Sequence, residues 1–229
     1  MKKLIKILIK KILKLFGYNI LSIKVEASAP VLHFRYRDLQ KYRKLTDLIP
    51  GMIKNEDAEM LYALKVTQDK KGDVVEIGSW HGKSTSYLAR AVADSGNGHM
   101  YAIDHFMGNI GKESIYFNNG NDIEDCFRKN MKNLNLTEAV SLFACSSDRA
   151  REKLSNLDIR ILFIDGDHSE KGVKKDINLF CPLVRDGGIV IFDDFNNTSP
   201  GVILAAQEWI KSRNFSAIFL SGNMLVCKL

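Results

Sequence analysis

Two apolar runs of this chain end in acids, and the residues that follow could do metal-assisted acid–base chemistry. Phe163-Ile164-Asp165-Gly166-Asp167-His168 closes on Asp165, and the run after Val184-Arg185-Asp186-Gly187-Gly188 closes on Asp193-Asp194. If the runs are neighbouring parallel strands, their ends lie about 5 Å apart and the three carboxylates converge. Left unpaired, they would repel one another and raise each other's pKa. A divalent cation relieves this. An all-oxygen set made of Asp165, Asp193 and Asp194 favours Mg²⁺, with Mn²⁺ or Ca²⁺ as alternatives. His168 follows Asp165 on the turn into the next helix, where an imidazole is poised near neutrality as a general base. The competing structural reading makes Asp167 and Ser169 helix caps, His168 a surface residue and Asp193-Asp194 the start of a loop. Two separate acid clusters at strand ends favour the chemical reading. Asp167 stays open between capping the helix and orienting His168.

A second constellation lies upstream, in Val74-Val75-Glu76-Ile77-Gly78-Ser79-Trp80-His81-Gly82-Lys83-Ser84. Gly78 and Gly82 allow a sharp turn and a close approach to a ligand. Ser84 and Thr85 then present hydroxyls and free amides at a helix N-terminus, which suits a carboxylate. Glu76 can face a cationic amino group. Asp104, 26 residues after Gly78, ends the next strand and can accept from ribose hydroxyls. An amine partner, a carboxylate partner and a ribose partner together describe S-adenosylmethionine. The spacing is E-x-G-x-x-x-G rather than G-x-G-x-x-G, which counts against a dinucleotide. The structural alternative is a tight turn with solvated acids.

Both constellations need a scaffold that brings strand ends to one edge. Strand-like runs fall at 73–78, 99–104, 140–144, 159–165, 187–193, 215–220 and 223–228. Helical patterns fall between them at 83–94, 122–134, 147–155, 169–181 and 201–212, with another at 56–68. The alternation predicts an α/β fold, a doubly wound, mostly parallel seven-stranded sheet covered on both faces. Ser221-Gly222-Asn223 predicts a C-terminal antiparallel hairpin. No internal repeat or low-complexity segment is evident.

At 229 residues and 45% hydrophobic, the chain can bury one good core. Its net charge of +6 is concentrated at the start, where residues 1–25 hold seven lysines and no acid, which leaves the rest at about −1. The body therefore offers no nucleic-acid surface. Residues 1–17 pattern as a basic amphipathic helix ending at Gly17, suited to an anionic membrane surface or to docking on the body. Its apolar runs are too short for an export signal or a membrane span. Residues 18–55 form an extension with a basic–aromatic patch at His33-Phe34-Arg35-Tyr36-Arg37, and 56–229 form the main domain. Cys126, Cys145, Cys181 and Cys227 show no metal spacing and read as reduced core thiols of a cytoplasmic protein, peripheral on the inner face of the membrane if the helix binds lipid.

From about residue 55 onward the chain resembles class I S-adenosylmethionine-dependent methyltransferases, whose sheet ends in such a hairpin. The nearest branches are the Mg²⁺-dependent catechol-type and macrolide-sugar O-methyltransferases. The resemblance rests on VVEIGSWHGKST, FIDGDHSEKGVKKDI and LVRDGGIVIFDDF. It implies cofactor-binding positions at Glu76, Gly78, Trp80, Ser84 and Asp104, with Ser147 near the adenine. The flanking Ser79, Gly82 and His105 complete the expected set. It also implies metal ligation by Asp165, Asp193 and Asp194. His168 falls where the catechol enzymes place a catalytic lysine and the sugar enzymes a histidine, which leans toward sugars. The sugar enzymes carry Glu-Asp where this chain has Asp193-Asp194. The implied reaction is O-methylation of a vicinal-diol acceptor, a small molecule or a glycan precursor, with 105–121 forming part of a lid over it. The rival readings are an NAD(P)-dependent oxidoreductase and a membrane-associated module that binds without chemistry. A homo-oligomer stays open.

Overall fold

The computed structural model describes residues 36–68, 70–108, 120–154 and 156–229. The expected helix at 1–17, residues 33–35 of the basic–aromatic patch and residues 109–119 of the expected lid lie outside them. Every described residue belongs to one compact unit within Leu32–Leu229.

Helices α1 (Tyr36–Thr46) and α2 (Asn55–Val66) come first. The alternation then runs β1 (Asp73–Ile77), α3 (Lys83–Ser95), β2 (Met100–Ile103), α4 (Gly120–Asn133), β3 (Val140–Phe143), α5 (Ser147–Lys153), β4 (Ile159–Ile164) and α6 (Glu170–Phe180). It closes with β5 (Val184–Phe192), α7 (Pro200–Lys211), β6 (Ala217–Ser221) and β7 (Met224–Lys228). These strands form one seven-stranded sheet in the order β3-β2-β1-β4-β5-β7-β6, with β7 antiparallel to both its neighbours.

The central strands are apolar on both faces because helices cover both. In β1, Val75 and Ile77 join the core under α6 and α7, while Val74 joins the core under α3 and α4. Glu76 shares the face of Val74 by the two-residue period, and that places it beneath the start of α3. The hairpin enters the sheet with its second strand inward, so the antiparallel strand is not the edge. Its four residues Met224–Cys227 are all buried, whereas β6 is half-exposed at the edge. A continuous apolar run suits the interior place.

Two details differ from the sequence expectation. β5 begins at Val184 rather than at 187, because the register shifts by a bulge opposite Arg160. Arg160 donates to the Asp186 and Lys71 carbonyls there and holds the Arg185–Gly188 arch against β4. Helix α1 lies inside what reads as an irregular extension. Leu39 and Tyr42 bury one face of it; Tyr42 stacks edge-on against Tyr87 of α3 and donates to the Ser86 carbonyl at 2.7 Å.

Candidate active site

The candidate residues stand one step beyond the carboxyl ends of β1, β2, β4 and β5, and a backbone ladder fixes them there. The amide of Gly78 donates to the Ile103 carbonyl (2.9 Å) and that of Asp104 to Phe143 (3.1 Å). Asp165 donates to Ile77 (2.8 Å) and Asp193 to Ile164 (3.0 Å). Gly78 has φ +89°, and a Cβ there would collide with the Asp165 carbonyl oxygen. Glycine is what lets the first turn lie on the β4 turn.

Above this edge lies a cavity of about 740 Å³, inside the range of small-molecule sites. The β1–α3 turn forms one wall, with Ser79, Trp80 and Ser84. Trp80 adopts a left-handed φ of +43°, a strained conformation of the kind that clusters at functional sites. Helix α3 starts after Gly82 without a side-chain cap, so its first amides are available to an anion beside Lys83 and Ser84. Asp104 and His105 line the cavity at the end of β2, and Ser147 does so after β3.

Two of the expected cofactor contacts are placed differently. Glu76 is fully buried and is not among the lining residues. Its carboxyl accepts from the Thr85 hydroxyl, locking the turn to α3 from behind. Burial pushes it up to about 7, against the lowering influence of the Ser84, Thr85 and Ser79 hydroxyls. Gly82 faces away as well: with φ +87°, its position would press a Cβ on Phe127 and Met131 of α4. Asp104 lines the cavity but also accepts from the amides of Ser79 and Trp80 (2.8 Å each) and of Phe106 (2.7 Å). It therefore shapes the glycine turn besides facing the ligand space.

At the β4 and β5 ends the acids converge. Asp165, His168 and Asp194 each present a ligand atom within 4.8 Å of the others. His168 Nε2 stands 3.4 Å from Asp194 Oδ2 and 3.8 Å from Asp165 Oδ1. Their side chains keep 25% (Asp165), 21% (His168) and 33% (Asp194) exposure, open to the cavity. Asp194 has φ +51°, and this left-handed turn brings its carboxylate rather than that of Asp193 to His168. Asp193 lines the same cavity just outside the threefold group. Burial, and then the Asp193 charge, hold the Asp165 carboxyl well above the usual range, with His168 opposing. Burial likewise pushes Asp193 up to about 6, opposed by a backbone hydrogen bond and helped by the Asp194 charge. Carboxylates held this high mark a place that favours positive charge. Asp167 accepts from the backbone and hydroxyl of Ser169, which caps α6 by accepting from Gly172.

Several lining residues escape the sequence reading. Pro50 to Lys54 and Asp57 wall the cavity from the α1–α2 loop and the start of α2. Only the folded chain brings them there: Gly222 at the hairpin tip packs on the Asp57 carboxylate, and Asn223 lines the cavity beside it. Asp176 was legible. It stands among the buried Val173, Ile177 and Phe180 on the apolar stripe of α6, where a carboxylate is out of place.

Comparisons with known proteins agree with this geometry. Residues 75–195 match the family described as "Methyltransferase domain". An uncharacterised protein, R132 of Acanthamoeba polyphaga mimivirus, is 44% identical over 52 residues, and that match spans 22% of this chain and 24% of the viral protein. Among solved structures, the O-methyltransferase NovP superposes with a TM-score of 0.61 at 20% identity, covering 78% of this chain and 81% of its own. An O-methyltransferase from Bacillus cereus in complex with SAH gives 0.60 at 16% identity, with 87% and 94% covered. CalS11, a TDP-rhamnose 3'-O-methyltransferase of calicheamicin biosynthesis, gives 0.57 at 15% identity, with 89% and 99% covered. These likenesses share the seven-stranded fold, and the family match spans over half the chain and includes both constellations at the strand ends. The chain belongs to the methyltransferase-domain family.

Proposed function

We propose that this protein is an S-adenosylmethionine-dependent O-methyltransferase that acts on a hydroxyl of a sugar or other vicinal diol, assisted by a divalent cation. One observation carries the reading: a single cavity joins an uncapped helix start beside a glycine turn to the Asp165–His168–Asp194 group. The likeness to CalS11 and the histidine at position 168 favour a sugar acceptor.

The residues fit both absent groups. Ser79, Trp80 and the first amides of α3 would hold the amino-acid end of the donor, and Asp104 its ribose. S-adenosylmethionine supplies a methyl group already activated on sulfonium. Asp165 and Asp194, with Asp193 beside them, would hold the cation; oxygen ligands of this kind suit Mg²⁺. The cation supplies Lewis acidity toward paired hydroxyls. His168 then takes the hydroxyl proton, held in place by Asp165 and Asp194. The rest of the chain's contribution is to position the acceptor oxygen and keep water out.

The test is calorimetric titration of S-adenosylmethionine and of NAD, each with Mg²⁺ and with a chelator, followed by methyl transfer to sugar diols. S-adenosylmethionine should bind, NAD should not, and His168→Ala should lower turnover by roughly 10²–10⁴-fold. NAD binding, or unchanged turnover in His168→Ala on every accepted diol, refutes the reading. The lysine-rich segment 1–17 is proposed to hold the enzyme at an anionic membrane carrying lipid-linked acceptors. Among the described residues no helix is long and apolar enough to cross a membrane. Removing residues 1–17 should abolish co-sedimentation with acidic vesicles while leaving methyl transfer to a free sugar unchanged.

A further inference from the structure

One corner of the cavity is not used by the cation or by the reacting groups. Cys145, Ser146 and Ser147 wall it after β3, Gly166 after β4, and Lys175 and Asp176 from α6. Lys175 is already committed, with Nζ 3.0 Å from the Asp148 carboxylate. Asp176 is different. It is 3% exposed, and although the Ser147 hydroxyl hydrogen-bonds its carboxyl, its Oδ1 is buried with no hydrogen-bond partner among the described residues. Its Oδ2 lies beside Gly166, 3.5 Å from where a Cβ on that glycine would stand.

A buried carboxylate oxygen without a donor is costly, and native chains rarely keep one without a use. Packing alone would be served by an aliphatic side chain, since the rest of the α6 stripe is apolar. The missing element is an N–H donor that enters from the cavity. Of the groups that the donor molecule carries, its ribose has Asp104 and its amino-acid end has the start of α3. The α-ammonium travels with the carboxylate to the β1 turn, so the base is the group left for the corner beside Ser147.

We propose that Asp176 selects the base of the methyl donor, its Oδ1 accepting a hydrogen bond from the exocyclic amine of adenine. The proposal rests on the S-adenosylmethionine reading. It makes Asp176 a specificity residue of that site. A base with oxygen at the same position, such as hypoxanthine, would set two acceptors face to face. A site built around a polar group rejects the analogue that leaves that group unpaired.

The experiment measures calorimetric affinities of S-adenosylhomocysteine and S-inosylhomocysteine for the full chain and for Asp176→Asn, with melting curves to establish that the variant is folded. Wild type should prefer the adenosyl compound by about tenfold or more, the cost of an unpaired buried group. Asp176→Asn offers the inosyl oxygen a donor, so the preference should shrink by about the same factor. Wild type alone supplies a second check, because an N6,N6-dimethyl analogue, which has no N–H, should bind as poorly as the inosyl compound. Equal binding of the adenosyl and inosyl compounds by wild type overturns the proposal, and so does an unchanged preference in Asp176→Asn. If wild type binds none of the three, the S-adenosylmethionine reading falls together with it.

Discussion

Replacing Gly78 with alanine probes the contact that holds the β1–α3 turn to the turn after β4. Two costs add. At φ +89° an L-residue pays about 1–2 kcal/mol. The new Cβ would also strike the Asp165 carbonyl and stand 2.9 Å from the Gly166 nitrogen. These are backbone atoms that cannot rotate away, and overpacking of this kind costs about 1–3 kcal/mol. Alanine returns about 0.4–1 kcal/mol by restricting the unfolded chain. The net loss is roughly 2–4 kcal/mol, which at about 2–4 °C per kcal/mol lowers Tm by roughly 4–16 °C. Gly96→Ala is the matched control, because Gly96 also has positive φ (+59°) but open space where its Cβ would go. It should lose about 1 kcal/mol or less. Scanning calorimetry of both variants reads the difference directly. If Gly78→Ala melts as close to wild type as Gly96→Ala does, the two turns are not in rigid contact and the reasoning is wrong.

Three further outcomes follow from the site. Glu76 has its folded pKa raised to about 7 from an ordinary 4.5; its contribution to stability is therefore complete below the ordinary value and is lost as pH rises through 7. Glu76→Gln should remove up to about 3 kcal/mol of pH dependence from that window, measured by urea midpoints from pH 4 to 8. An unchanged profile would mean that Glu76 is not the buried group responsible. Mg²⁺ should raise the Tm of wild type and not that of Asp165→Asn, which should melt no lower than wild type in chelator, because it removes a carboxylate held above its usual pKa. A variant that still responds to Mg²⁺ would place the cation elsewhere. Phe163→Ala, at a fully buried position of β4, should cost about 3–5 kcal/mol without altering the ratio of donor affinity to acceptor affinity in the folded fraction.

How far the sequence reached depended on how local the cause was. The strand–helix alternation was readable because each central strand is mainly apolar, and the turn at Gly222 was readable because hairpin chemistry is confined to a few residues. The convergence of Asp165 and Asp194 followed from two strand ends alone. What could not be read depends on partners far along the chain. Glu76 looks from the sequence like a residue of the cavity wall, whereas the pleat turns it under α3, behind the lining residues. The bulge that starts β5 early needs Arg160, a residue of another strand. Asp57 reaches the cavity only because a hairpin 165 residues later packs on it. The left-handed turn at Asp194, which decides which aspartate meets His168, is a tertiary outcome that side-chain type does not announce.

The four amides that tie Gly78, Asp104, Asp165 and Asp193 to the carbonyls of neighbouring strands have a consequence for how such a site can vary. Each reactive side chain is indexed to a strand end by counting residues, and each strand end is indexed to the next. Length changes in the helices and outer loops leave this count untouched. A single inserted or deleted residue inside β1 or β4 does not, because it rotates every later side chain of that strand to the opposite face and breaks the tie to the adjoining strand. Variation in this enzyme is therefore free along the connections and nearly forbidden along the strands. Changes in acceptor would have to be made in the loops that overhang the edge, with the spacing of the acids held constant beneath them.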